Sequence, residues 1–150
     1  PIAEAIEGWK RMPNPGHACW YQTGVIAARL GLAEGASQDV VLRAKNRMGR
    51  SDQPGTFMRF PGYLGSPHDW CPDFDGPGNM MNTLQEMLVQ PGPDGTLLLT
   101  PAWPKDWSAR FRLHAAGNIF IEGRIEQGKL IDWKTTPESA RSRVRILGGN

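Results

Sequence analysis

Ser66-Pro67-His68-Asp69-Trp70-Cys71-Pro72-Asp73-Phe74-Asp75-Gly76-Pro77-Gly78-Asn79 is the stretch around which the chain is read. Three aspartates, a histidine and two aromatics share it with three prolines and two glycines. Pro67, Pro72 and Pro77 interrupt any helix interior or central strand, and Gly76 and Gly78 open unusual backbone angles. A loop of this length between periodic segments is usually functional or disordered, and its aromatic content argues for function. The plainer alternative is a surface loop whose carboxylates cap a helix.

Working outward, the segments before it read as helices and those after it as strands. In residues 1–12, Ile2, Ile6 and Trp9 recur at helical spacing. Pro13-Asn14-Pro15 stops that helix and starts a second, which is expected to run to about Leu30 with Ala18, Tyr21, Val25 and Ala28 inside and Gly31 as its C-terminal cap. Ser37 is expected to cap a third helix carrying Val40, Val41, Ala44 and Met48, closed by Gly49. A fourth is expected from Asn79 to about Gln90, with Met80, Leu84, Met87 and Leu88 as its apolar stripe.

Past Pro91-Gly92-Pro93-Asp94-Gly95 the period changes to two. Residues 96–100 form a short apolar run. Phe111 and Leu113 alternate with arginines, and Ile119, Ile121 and Ile125 with polar neighbours. Gln127-Gly128 suits a two-residue hairpin turn leading into residues 130–134, and Val144 and Ile146 alternate with Arg143 and Arg145. The expectation is one small antiparallel sheet with one buried face, Arg141, Arg143 and Arg145 solvated on an edge strand, and Trp103, Trp107 and Trp133 between sheet and helices. Helices first and strands second give an α+β class, divided as 1–92 and 93–150.

Composition narrows the function classes. The chain has 150 residues and a formal charge of +2, too small to point to nucleic acid or a membrane surface. No apolar run reaches membrane-span length. Six Trp and five Phe suit large packed contacts or a stacked sugar. Cys19 and Cys71 permit one disulfide or two free thiols. His17, beside Trp20 and Tyr21, reads as a helix-end histidine or the lining of a polar pocket. The chain begins at Pro1 without Met, and a piece of a longer protein is expected.

The chemistry is then weighed at the loop. Asp73 and Asp75, two residues apart, point to opposite sides of an extended segment. Glycoside hydrolysis needs facing carboxyl groups about 5–9.5 Å apart, so at most one of the two serves and its partner lies elsewhere. Asp75, before a helix N-terminus, is favoured in its ionised form and suits a base. A calcium loop beginning at Asp73 fails, because Pro77 and Leu84 occupy ligand positions. His68, Asp69 and Cys71 lack a second cluster for zinc, so neither metal nor cofactor is expected.

Asp75-Gly76, the eleven-residue step to Glu86-Met87-Leu88, then Gln90 and the run from Gly95 through Pro101-Ala102-Trp103-Pro104 to Trp107 carry a resemblance. The stretch resembles the C-terminal part of glycoside hydrolase family 95, the α-L-fucosidases and related enzymes. The resemblance covers about residues 16–147 and is strongest over 68–107. It implies the last helices of an (α/α)6 toroid followed by a C-terminal antiparallel β-domain. It implies an inverting mechanism with Asp75 on the general-base side and the general acid in a missing N-terminal part of the same protein. It places His68, one residue off the register of a family histidine, near the sugar. With Trp70, Phe74 and Trp20 walling the pocket and Asp73 a further sugar contact, the partner is a carbohydrate and the favoured location secreted or periplasmic. A non-catalytic carbohydrate-binding or structural module is the alternative.

Overall fold

The computed structural model describes residues 2–12, 21–46 and 75–148. Among the described residues, four helices are followed by two three-stranded sheets, an α+β arrangement. No described helix is long and apolar enough to cross a membrane.

Helix α1 (Ile2–Lys10) carries Glu4 in its first turn and Lys10 in its last, complementing the helix dipole. It docks through Trp9, whose ring covers Gly35 so closely that a Cβ at 35 would overlap the indole. Helix α2 (Thr23–Arg29) begins later than its sequence suggests. Tyr21 and Gln22 are not helical, and Tyr21 is 51% exposed rather than part of the buried stripe. Residues 13–20 lie outside the described residues.

The inner face of α2 is Thr23, Gly24, Ala27 and Ala28, small residues that let neighbouring helices approach closely. Seven residues are too few for a stable isolated helix, so α2 depends on that packing. Its end is as expected. Gly31 takes φ +75°, its amide donates to the Ala28 carbonyl at 3.0 Å, and the Leu32 amide donates to Ala27 at 2.9 Å. This paired closure satisfies carbonyls the helix leaves open.

The turn at Gly31 delivers the chain straight into α3 (Ala33–Asn46), four residues before the expected start at Ser37. Ser37 is no cap: its hydroxyl donates back to the Glu34 carbonyl at 3.0 Å, a local bond available inside a helix as well as before one. Met48 and Gly49 lie outside the described residues.

Helix α4 spans Asp75–Leu88. It takes in Gly76, Pro77 and Gly78, expected to be loop. A proline in the first turn loses nothing, because the amide it lacks has no intrahelical partner there. Met87 and Leu88 are buried and Met80 and Leu84 partly so, as the apolar stripe requires. The helix ends at Leu88, not Gln90. Gln90 belongs to a strand, and its side-chain amide donates to the Ala28 carbonyl at 2.7 Å and the Glu86 carbonyl at 2.8 Å. One buried amide thus serves the C-terminal ends of two helices.

The contacts fix helix direction. Gly24 meets Thr83, Arg29 pairs with Glu86, and Gln90 reaches Ala28, so α2 and α4 run parallel. Gly24 also meets Asp39, and Arg43 meets Tyr21, so α3 runs antiparallel to α2. The described chain therefore enters α2 and α4, and leaves α3, at one end of the helical layer. The opposite end faces the sheets. There the Thr100 amide donates to Leu88 at 2.7 Å, and Ala102, Trp103 and Trp107 join Ala27, Ala28, Ala36, Val40 and Met87 in one core.

Strands β1 (Val89–Pro91), β2 (Leu97–Leu99) and β6 (Val144–Ile146) form one sheet in the order β1-β2-β6, with β1 antiparallel and β6 parallel to β2. Strands β3 (Ala109–Ala115), β4 (Ile119–Glu126) and β5 (Lys129–Thr136) form a second, wholly antiparallel sheet. The expected single antiparallel sheet is thus two sheets, one of them mixed. Alternation reveals which face of a strand is buried but not which strand it pairs with. Between β4 and β5, Gln127 and Gly128 both take positive φ, 45° and 75°, the tight hairpin expected there.

Leu97, Leu99, Ala115, Ile119, Ile121 and Ala140 are buried in the sheet core. Trp133 packs here, not against the helices. Arg141 and Arg143 are not on an edge strand either; they lie in a short 3-10 helix, Glu138–Arg143. Arg141 stacks over Trp133 at 4.0 Å and donates to its carbonyl at 3.1 Å. Arg143 clamps the Gly95 carbonyl with Nε at 2.9 Å and Nη2 at 2.7 Å. Both arginines work as ties between segments.

Three substitutions test this packing. Met87→Ala empties a fully buried site and is expected to cost about 2–5 kcal/mol in a urea titration. Gly24→Ala should destabilise although alanine is ordinarily the better helix former by about 1 kcal/mol. Its Cβ would overlap Asp39 Oδ2 and stand 2.7 Å from Thr83 Oγ1. Gly8→Ala, with nothing within 4 Å, should raise stability in the same assay.

Candidate functional site

Asp75 is the first residue of α4, at the end of the helical layer where α2 also begins. The sequence predicts a helix starting at Asn79 with Asp75 in the loop ahead of it; the helix in fact begins four residues earlier, at Asp75 itself. His68, Trp70, Asp73 and Phe74 lie outside the described residues, as do His17, Trp20, Cys19 and Cys71. The site is therefore built from Asp75's position and from what lies beneath it.

Along α4, Asn79 and Thr83 follow Asp75 at steps of four residues and so fall on one face. Thr83 is fully buried, and its hydroxyl donates to the Asn79 carbonyl at 2.8 Å. Next to it, across Gly24, stands the carboxylate of Asp39. Asp39 is 0% exposed, and its Oδ2 accepts from Arg43 Nε at 2.8 Å. Arg43 is itself buried, and its Nη2 donates to the Tyr21 carbonyl just ahead of α2. Thr23, also buried, lies at the same junction.

Arg43 ties α3 to the backbone leading into α2 by a directional bond, and Thr83 of α4 packs beside the pair. Removing a charge from water costs several kcal/mol, recovered only when partner and geometry are well matched. The bond that reaches outside α3 is Arg43's second one, to the Tyr21 carbonyl. By the rise of an α-helix, Thr83 lies about 12 Å along the axis from Asp75. The cluster can position the helix end, but it lies too far down to act on a group held there.

Sequence reasoning does not single out Asp39 and Arg43. Their i, i+4 spacing is a signal, but ordinarily one of an exposed ion pair on a solvated face. Burial comes from Gly24, which leaves room for a carboxylate where any other residue would place a side chain.

A second ion pair lies on the outer side of α2 and α4. Arg29 Nη2 donates to Glu86 Oε1 at 2.7 Å, and the bond and then the charge of Glu86 raise the guanidinium pKa above its ordinary value. Arg29 thus stays charged throughout the physiological range. Glu86 heads the Glu86-Met87-Leu88 stretch, and each member has its own structural role. Glu86 pairs with Arg29, Met87 fills the core, and Leu88 accepts from Thr100. Among the described residues, no three His, Cys, Asp or Glu side chains gather as a metal site.

No protein-family model, no curated protein and no solved structure matches the chain.

The buried pair yields a double substitution. Asp39→Ala leaves the Arg43 guanidinium buried without its carboxylate and is expected to cost about 3–5 kcal/mol. Replacing both, as Asp39→Leu with Arg43→Met, should recover most of that loss. Urea midpoints for the three proteins check the ordering.

Proposed function

We propose that the chain is the C-terminal portion of an inverting glycoside hydrolase, with Asp75 on the general-base side of the sugar. One observation carries the reading: Asp75 heads α4, and α4 runs parallel to α2 with α3 antiparallel between them in sequence. Helical hairpins stacked with alternate helices parallel are the repeating unit of an (α/α)6 toroid, and such a repeat gathers helix starts at one end of the ring. The sheets attached at the opposite end agree with a C-terminal β-domain that follows the helices. The spacing from Asp75-Gly76 through Glu86-Met87-Leu88 to Trp107 supports the same reading.

In this mechanism the Asp75 carboxylate takes a proton from a water molecule as the water oxygen attacks the anomeric carbon. The bond to the leaving oxygen breaks, and an acid outside this chain protonates that oxygen. The configuration inverts because water arrives opposite the departing group. The partial positive charge of the α4 N-terminus stabilises an ionised Asp75 as base. His68, Trp70, Asp73 and Phe74, close to Asp75 in the chain, are the proposed sugar contacts. The proposed step calls on neither metal nor cofactor.

The test uses the longest gene product containing this chain, beside its Asp75→Asn variant, against a panel of aryl glycosides including α-L-fucoside. The parent should turn over at least one glycoside and the variant should lose about a hundredfold or more, the scale of a general base. The 150-residue chain by itself should be inactive for want of the acid. Turnover by the short chain would refute the division of roles. Sugar binding without turnover by either long protein would replace the hydrolase with a binding module.

A further inference from the structure

A polar groove of about 540 Å³ runs between the outer faces of α2 and α4. Its walls carry the amides of Gln22, Asn79, Asn82 and Gln85, with the Arg29–Glu86 ion pair at the far end. Val25 and Ile26 make an apolar strip along α2, with Ile26 42% exposed. Because α2 and α4 are parallel, Gln22 and Asn79 lie at the end where Asp75 heads α4, and the ion pair closes the groove about 10 Å further along.

Three properties define a ligand. The lining has no net charge, because Arg29 and Glu86 cancel, so neither an anion nor a cation is favoured. A primary amide offers two donors and an acceptor in one plane, which matches neighbouring hydroxyls that both donate and accept. The Val25–Ile26 strip gives the C–H face of a ring somewhere to leave water. The volume lies within the range of ligand pockets, about 300–1,000 Å³.

We infer that this groove binds a neutral, polyhydroxylated ligand, an uncharged oligosaccharide whose reacting end lies toward Asp75. The inference rests on the glycosidase reading for its direction, and it adds a subsite that holds sugar units remote from the bond being cut. Asn82 and Gln85 are its specificity-determining side chains, because both are exposed on α4 and neither is needed by the core.

The experiment is a two-dimensional amide NMR titration of the 150-residue chain with lactose, maltose and 2′-fucosyllactose, and with sialyllactose as a charged control. At least one neutral sugar should give saturable shifts concentrated in residues 22–29 and 79–86, with sialyllactose weaker. Asn82→Ala and Gln85→Ala should each raise Kd about fivefold, the worth of roughly one hydrogen bond. Both variants should keep the parent's Tm, since they truncate exposed helical positions to a good helix former.

Absence of saturable shifts with all three neutral sugars would overturn the inference. So would shifts indifferent to both amide truncations, or tighter binding of sialyllactose. The two readings fail separately. Groove shifts without turnover by the longer gene product retain the groove and remove Asp75 from catalysis. Turnover that depends on Asp75 without groove shifts does the opposite.

Discussion

The helical half of this protein depends on a carboxylate and a guanidinium kept out of water. Asp39 and Arg43 lie one turn apart on α3, and neither reaches solvent appreciably. Such a pair survives only where the surrounding backbone holds both groups in place. Gly24 provides the space, Thr83 the neighbouring hydroxyl on α4, and the Tyr21 carbonyl the second acceptor. Arg43 thereby ties α3 to the backbone entering α2, with α4 packed alongside at Thr83, about 12 Å along its axis from Asp75. A short α2 with a face of alanine, glycine and threonine would have little specificity of its own.

At the opposite end the specification is apolar and comes from further along the chain. Ala102, Trp103 and Trp107 complete a core that the helices leave open. Trp103 meets Trp107 edge to face at 5.7 Å, and its Nε1 donates to the Trp107 carbonyl at 3.2 Å. The left-handed Thr100 sets the turn into this segment; its amide is bound to Leu88 and its hydroxyl to the Leu99 carbonyl. A β-branched residue in that conformation is strained, and it persists because both hydrogen bonds hold it.

Element types are legible from periodicity, and element partners are not. The stripe Met80, Leu84, Met87 and Leu88 announces α4, and alternation through Phe111, Leu113, Ile119 and Ile121 announces β3 and β4. Starts are ambiguous wherever a polar or breaker residue has two possible roles. Ser37 bonds within its helix instead of capping it, and Pro77 sits in a first turn instead of ending a loop. Pairing is hidden for a different reason: β2 and β6 are three residues each, and nothing in Leu97–Leu99 distinguishes a parallel neighbour from an antiparallel one. For the candidate site, Asp75 is legible as lying near a helix start, but Gly76, Pro77 and Gly78 read as loop and hide that the helix already begins at Asp75. The Asp39–Arg43 cluster is not, because burial of an i, i+4 ion pair is decided by a glycine on another helix.

The double role of Gln90 has a consequence for how the molecule comes apart. Its side chain ties the last turns of α2 and α4, while its backbone pairs with Leu98 in β2. The helical layer and the mixed sheet therefore share one residue, with no hinge between them. Slow amide exchange in α4 and in β2 should report the same opening event rather than two, so the two regions constitute a single cooperative unit.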